Sequence, residues 1–510
     1  MKTSRLSLIA IASMLALAGC TIGNKSNSNS QGGKSNESSQ QSSGEVSSGG
    51  QQSQSSEKAE GPFVTEPTEI TIWSTYNDTF QTIINNCIDE FKTMEPNVTI
   101  TNTKQTGSYD QLAKMVVDGF VVDNYPDMVA AYPDAVADFI SSAKGLDIDP
   151  YMNNPSYGWT EEDFDDIPTA YIEAGQKYSI PGTYSLPASK STEAMYYNQD
   201  VLIGLDLSPI DNTINNGRPL NENYFKDMTW EELFEKLIPA LDQYDQNVSK
   251  IIDRTQFADW AWVGYDSDDN LFITLAEQYG YGYTRVNQTT GKGELLFDND
   301  GMKDLMKKFK GYYDNHYFTT KGIIGTNVNY RSTKDAMLFS IGSTGGVKYQ
   351  FEASNAHNVG VVAIPHPADG EQAIISQGPD FAFLDHGSDN RAKAIWLFYK
   401  LFTGKKYNTS WSINTGYSPI RYSVMESKEY LDYSDASEIE EKTLDRLYAL
   451  NAKYASSVND YLFTSPVFKG SGKARTEVGK IFSSCANAEN LDASIDSIFA
   501  TAINNTKMSM

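Results

Sequence analysis

The chain has 510 residues, 66 of them acidic and 41 basic, for a formal net charge of −25. So acidic a balance argues against nucleic acid as a partner, because phosphate binding draws on Lys and Arg. Hydrophobic residues make up 40%, enough for a sizeable core, and the length predicts two or three compact units plus tails.

The N-terminus reads as a targeting segment. Lys2 and Arg5 precede an apolar run from Leu6 to Leu17, too short to span a bilayer and suited to the core of a signal peptide. The run ends in Leu17-Ala18-Gly19-Cys20, which looks like a bacterial lipobox. Residues 1–19 would then be the signal peptide and Cys20 the lipidated N-terminus. An ordinary secretory signal that ends in Cys is the alternative. Each buried acyl methylene contributes about 0.8 kcal/mol, so two or three chains hold a protein on a membrane. Residues 20–67 follow as lipidated Cys and tether. Between 21 and 60 they are almost all Ser, Gln, Asn, Gly, Lys and Glu, a composition that cannot bury enough surface to fold. A flexible segment of this length reaches about 35 Å on average. The expected product is a body anchored by lipid to the extracytoplasmic face of the cell membrane.

From Thr68 strands and helices alternate: "EITIWST", "TFQTIINNCIDEFKTM", "NVTITNTK", "SYDQLAKMVVDGFV" and "DMVAAY". This order predicts a parallel sheet flanked by helices. Ligands of such sheets lie beyond the carboxyl ends of the strands. Here those ends are Trp73 to Tyr76, Lys104 to Tyr109, and Tyr132 to Asp134. Further on, "LPASKSTEAMYYNQD" passes from polar to apolar with no turn signal between. The C-terminal part is helical, and no internal repeat is visible. Cys87 shares a helix face with Ile83, Ile84 and Phe91 and reads as core; whether it pairs with Cys485 stays open. The four His stand singly. "DSDDN" lacks the Gly and Glu of an EF-hand loop. No metal, cofactor or catalytic residue is therefore assigned.

Four stretches carry a resemblance: "YDQLAKMVVDGFVVDNYPDMVAAYPDAVADF", "LPASKSTEAMYYNQDVL", "DAMLFSIGSTGG" and "WSINTGYSPIR". In this order, behind a lipobox and a linker, they resemble the extracellular solute-binding proteins of carbohydrate ABC importers, the maltose and glycerol-3-phosphate types. The resemblance runs from about Thr68 to Asn505. It implies two α/β lobes, each a mainly parallel sheet flanked by helices, joined by crossing strands and closing by hinge motion on a ligand. Lobe I would take 68–187 plus 361–405, and lobe II 188–360 plus 406–510. "LPASKSTEAMYYNQD" would be the first crossing, its polar half lining the cleft. The implied partners are a small carbohydrate, the permease subunits of an importer, and the membrane through the anchor, with the protein a monomer and not an enzyme.

Sugar hydroxyls need paired donors and acceptors, and the apolar sugar face needs a flat ring. Trp230, Trp396 and Trp411 read as core. Trp73 ends the first strand and reads equally as site or core. Trp260 and Trp262 flank Ala261 and would point one way if extended, as a cleft wall or as core. Tyr132 and Asp134 follow the third strand. The resemblance to the glycerol-phosphate type carries over a binding Tyr to Tyr109 and a binding Ser to Ser191. It also carries a contact to Ser343 or Thr344, a backbone contact to Gly378, a ring to Tyr417 and a phosphate-binding Arg to Arg475. The chain departs from that type in two places. Pro133 and Asp134 stand where an acidic residue follows the third strand's Tyr. Asp266-Ser267-Asp268-Asp269 stands where a Trp binds ligand, with Asp268 the candidate here; its plainer reading is a helix N-cap. Extra carboxylates repel phosphate and suit neutral hydroxyls. A neutral mono- or oligosaccharide is therefore preferred to glycerol 3-phosphate or another phosphate ester. A surface glycoside hydrolase is the reading from another class.

Overall fold

The alternation from Thr68 builds a first sheet in the order Val98–Lys104, Thr68–Ser74, Met128–Ala131, Asp380–Phe383, Ser185–Pro187. The computed structural model describes residues 62–510 apart from 256, 288, 334 and 335. The expected signal peptide, Cys20 and almost all of the tether lie outside the described residues. A second sheet runs Val359–Val362, Glu193–Asn198, Phe339–Ser343, Val263–Tyr265, Phe318–Thr320. Central strands such as Met128–Ala131 are buried on both faces, which explains their continuous apolar runs.

One strand in each sheet runs against the rest. In the first it is Asp380–Phe383, antiparallel to both neighbours. In the second it is Glu193–Asn198, likewise antiparallel to both. Each of these strands follows a crossing from the other sheet. A chain arriving by a crossing enters at the end where the parallel strands finish, so it must run the opposite way.

Helices Asp78–Met94, Asp389–Phe402 and Lys405–Thr415 cover one face of the first sheet. They bury Ile84, Phe91, Trp396, Phe398 and Trp411 against Ile70, Ile72 and Phe381. Leu112, Val116 and Phe139 cover the other face. The second sheet has its own core around Trp230, Phe234, Trp262, Phe272, Phe309 and Phe482. Cys87 and Cys485 are free thiols buried in different cores, so they form no disulfide. Among the described residues no helix is long and apolar enough to cross a membrane.

Residues 188–192 carry the chain from the first sheet to the second, residues 363–379 carry it back, and residues 416–443 cross a third time. These crossings bond to one another. Ser189 N–H donates to Pro379 O at 3.1 Å, Ser191 N–H to Gln377 O at 3.0 Å, and Ser418 N–H to Lys190 O at 2.8 Å. The crossings fall away from the boundaries expected at 361 and 405, because Val359–Val362 pairs within the second sheet and Lys405–Thr415 packs on the first core.

The polar half of "LPASKSTEAMYYNQD" does not line an open cleft. Ser189, Lys190, Ser191 and Thr192 are all buried, because the neighbouring crossings cover them. Ser189 Oγ meets the Tyr76 hydroxyl at 2.9 Å and accepts from Trp411 Nε1 at 3.2 Å. Lys190 pairs with Asp380 at 2.5 Å. Thr192 donates through Oγ1 to Ile375 O at 3.0 Å. The run is polar because three adjacent strands need side-chain partners there, and apolar where it enters the second core.

Gly378 shows how tightly the crossings pack. Its φ is +97°, and a Cβ there would lie 1.7 Å from Ser189 O. Gly378→Ala is expected to destabilise the protein by at least about 2 kcal/mol in denaturant unfolding. Gly387→Ala, with φ +68° and open space around it, carries only the left-handed strain of roughly 1 kcal/mol. Equal losses at the two positions would contradict this account.

Candidate ligand-binding site

Three tyrosines follow the carboxyl ends of the first three strands of the first sheet, Thr68–Ser74, Val98–Lys104 and Met128–Ala131. Tyr76 lies two residues beyond Ser74. Tyr109 opens helix Tyr109–Gly119, whose start is fixed by a capping box between Ser108 and Gln111. Tyr132 is the N-cap of Pro133–Ser141, with Pro133 at the first helical position and Asp134 in the first turn. The rings interlock edge to face: Tyr76 on Tyr109 at 6.5 Å and Tyr109 on Tyr132 at 5.3 Å. Tyr417 joins from the third crossing, just after Gly416 ends its helix in the left-handed conformation. Its hydroxyl meets that of Tyr109, and its ring lies edge to face with Phe80 at 5.8 Å.

The second sheet supplies the charged side. Arg475, in helix Ser471–Ala486, pairs through Nε with Asp269 Oδ2 at 2.7 Å, and its Nη2 donates to Asn270. Asp269 and Asn270 lie in the first turn of helix Asp268–Gln278. Asp134, from the first sheet's side, bonds Ser471 and faces Arg475 directly. Burial pushes the Asp134 carboxyl up, and Arg475 pulls it back. Burial works against the charge on Arg475, but Asp269 and Asp134 outweigh it and hold the guanidinium above its ordinary value. Tyr283 is buried beside this group.

The structure thus brings together Tyr109, Tyr132, Asp134, Tyr417 and Arg475. The other candidates are engaged elsewhere, although Ser343 and Thr344 adjoin Gly345, which lies against the Tyr417 ring. Trp262 is fully buried in the second core, so it forms no cleft wall. Trp260 stacks on His316 at 4.6 Å under Arg254. Trp73 is half-buried against the core that contains Leu112 and Val129. Asp268 turns away: it accepts from the Thr320 hydroxyl and, at 2.7 Å, from Gly322 N–H, and Asp269 takes the position facing Arg475. Thr344 is buried and accepts from Thr192 N–H at 3.1 Å. Ser343 is half-buried and bonds Ser191 at 3.3 Å. Gly378 packs on the backbone of residues 189 and 190. Asn270 and Tyr283 carry no signal in the sequence, whereas Tyr76 and Asp269 lie inside the stretches Trp73 to Tyr76 and Asp266 to Asp269 that the sequence marks, beside the residues singled out there. Trp73 is the larger ring at that strand end, and one helical step separates Asp269 from Asp268.

The family of bacterial extracellular solute-binding proteins matches residues 86–438, more than half of the chain. The chain belongs to this family. Among solved structures this binding protein is similar to UgpB of Mycobacterium tuberculosis in complex with glycerophosphocholine, with TM-score 0.63, 16% identity, and coverage of 88% of this chain and 98% of the other. It is also similar to the cyclic alpha-maltosyl-1,6-maltose binding protein of Arthrobacter globiformis, with TM-score 0.61, 17% identity and coverage of 86% and 99%. A third similar structure is Lmo0181 of Listeria monocytogenes in complex with cycloalternan, with TM-score 0.60, 14% identity and coverage of 86% and 99%. A search of the curated proteins finds no match. The binding protein has the two-lobed α/β fold of the periplasmic-binding-protein type, one five-stranded sheet in each lobe.

Behind Arg475 lies a buried carboxyl. Glu193 accepts from Asn270 Nδ2 at 3.0 Å and from the Tyr265 hydroxyl. Burial pushes its pKa up to about 7, against the pull of those two hydrogen bonds. The folded protein therefore holds a proton between about pH 4.5 and 7 that the unfolded chain has lost. Stability from this group is present at low pH and falls by about 3 kcal/mol as pH rises through 7. Thermal unfolding across this range is expected to fall more steeply with pH in the wild type than in Glu193→Gln; parallel curves would refute the assignment.

Proposed function

We propose that this protein captures a neutral mono- or oligosaccharide between its lobes and delivers it to the permease of an ABC importer, without catalysis. Lobe I is read as the first sheet with its helices, about 62–187 plus 380–415. Lobe II is the second sheet with 193–362 and the helices after 443. Three crossings serve as the hinge. A lipid on Cys20 would tether the monomer to the extracytoplasmic face of the membrane.

One observation carries the ligand reading: phenol rings from one lobe face a guanidinium flanked by carboxylates. The rings suit the apolar face of a sugar, and the Asp and Arg groups suit its hydroxyls. Arg475 is already engaged by Asp269 at 2.7 Å and faced by Asp134. One guanidinium between two carboxylates leaves no net positive charge for a phosphate. Family membership and the fold shared with the cyclic alpha-maltosyl-1,6-maltose binding protein and with Lmo0181 in complex with cycloalternan support the class of ligand. A phosphate ester is the second reading. It is favoured by the remaining N–H groups of Arg475 and by the glycerophosphocholine complex of the similar UgpB.

Thermal shift of the body against sugars, sn-glycerol 3-phosphate and glycerophosphocholine tests this. At a hundredfold excess over the dissociation constant, binding stabilises the fold by about 2.7 kcal/mol. A rise with a sugar that Tyr417→Ala abolishes is the expected result. A rise with the phosphate compounds alone would overturn the neutral-sugar reading. Release of reducing ends from glycans would favour a hydrolase.

A further inference from the structure

Arg475 is held from behind through one side-chain amide. Its Nη2 donates to Oδ1 of Asn270, and Asn270 Nδ2 donates to Oε1 of Glu193 at 3.0 Å. Asn270 and Glu193 are both buried. Glu193 opens its strand directly after the first crossing, and its other carboxyl oxygen accepts from the Tyr265 hydroxyl. Each neighbouring element faces it with a known group. Strand Val263–Tyr265 brings Tyr265, helix Asp268–Gln278 brings Asp269 and Asn270, and helix Ser471–Ala486 brings Arg475. Helix Leu444–Ser457 brings Tyr454, whose hydroxyl donates to Glu193 O at 2.6 Å. Ser343 lies opposite in the sheet. Among these groups Arg475 is the cation.

Guanidinium only donates, and a carboxylate only accepts. Together they fix the amide of Asn270, carbonyl toward Arg475 and N–H2 toward Glu193. A proton on Oε1 reverses the demand at one end. On that oxygen the acid donates to Asn270, the amide turns its carbonyl from Arg475 to receive it, and its N–H2 meets the N–H of Arg475, donor against donor; a proton on Oε2 is received by the Tyr265 hydroxyl and leaves the amide in place.

We propose that Glu193 and Asn270 are positioning residues of the ligand cleft: through one amide they set the direction of Arg475, and a proton taken up at Glu193 releases it, so that ligand binding and proton binding are linked. The inference rests on Arg475 facing the ligand, as proposed above. The raised pKa of about 7 places the change near neutral pH. Linkage is reciprocal, so whatever moves Arg475 must move the titration of Glu193.

Infrared difference spectroscopy of the ligand-free full chain reads the carboxylic C=O of Glu193, identified by its loss in Glu193→Gln. Arg475→Gln is expected to raise the midpoint by on the order of one pH unit. Arg475→Lys keeps the charge but not the planar two-bond hold, and should also move it. In an Asn270→Ala background, Arg475→Gln should move it little. Circular dichroism checks that each variant folds. A midpoint unchanged in Arg475→Gln, or fully restored in Arg475→Lys, would overturn the relay. So would the absence of any Glu193 titration between about pH 5 and 9. No arm uses a ligand, so an error in the sugar class would leave the outcome readable.

Discussion

Lys190→Ala is expected to lower the stability of the folded protein by about 3–5 kcal/mol, read from the midpoint of denaturant unfolding. The ammonium and its partner Asp380 lie 2.5 Å apart, with side-chain exposures of 5% and 0%. Lys190 is in the first crossing, and Asp380 begins the strand that the second crossing delivers. Burying two charges gains little by itself, since desolvation offsets much of their attraction. Removing one is another matter, because the carboxylate stays behind in a place water does not reach. Lys190→Met together with Asp380→Leu should therefore be far less damaging than Lys190→Ala alone, and near neutral if the pair packs well. A single substitution no worse than the double would show that the pair is not charged and coupled as described. The pair also ties the crossing to the first sheet, next to the Tyr171 ring 5.4 Å from the ammonium.

Arg475→Ala is expected to weaken binding of the sugar that thermal shift identifies about a hundredfold, measured by calorimetry. The guanidinium touches Asp269 and Asn270 from its own lobe and faces Asp134 from the other. Its loss leaves two carboxylates facing each other across the cleft, so the lobes repel where they should close. The ligand also loses donors. Arg475→Lys should recover part of the affinity, since a point charge still separates the carboxylates but cannot bond Asp269 and Asn270 together. Affinity unchanged in Arg475→Ala would remove the cleft between Asp134 and Asp269 as the ligand site. The arginine is partly exposed at 23%, so its effect on stability alone should stay well below that of Lys190.

Period and punctuation made much of this protein legible in advance. Strand–helix alternation from Thr68 carries the parallel sheet, and the strand ends mark where Tyr109, Tyr132 and Asp134 stand. The abrupt passage from Ser189 to Met195 marks a chain leaving one environment for another. Such signals are local, because a strand's pattern and a helix's cap depend on neighbours in sequence.

What the sequence by itself determined is therefore the class of fold, the order of the elements and the residues at the strand ends. The tertiary structure alone decided which side chains face one another. Asp268 and Asp269 are chemically equal in sequence, yet one helical step of about 100° sends the first to Thr320 and Gly322 and the second to Arg475. Trp262 carries the same ring as any sugar-stacking tryptophan, but three-dimensional packing puts it in the second core. Ser189 to Thr192 look wet in sequence and are dry in the fold, because crossings more than 180 residues apart along the chain meet there and satisfy them. Glu193 gives no sign in sequence that its carboxyl reaches toward Arg475. That follows only from two hydrogen bonds made by Asn270, a residue brought to it from another element by the packing of helix Asp268–Gln278 against helix Ser471–Ala486.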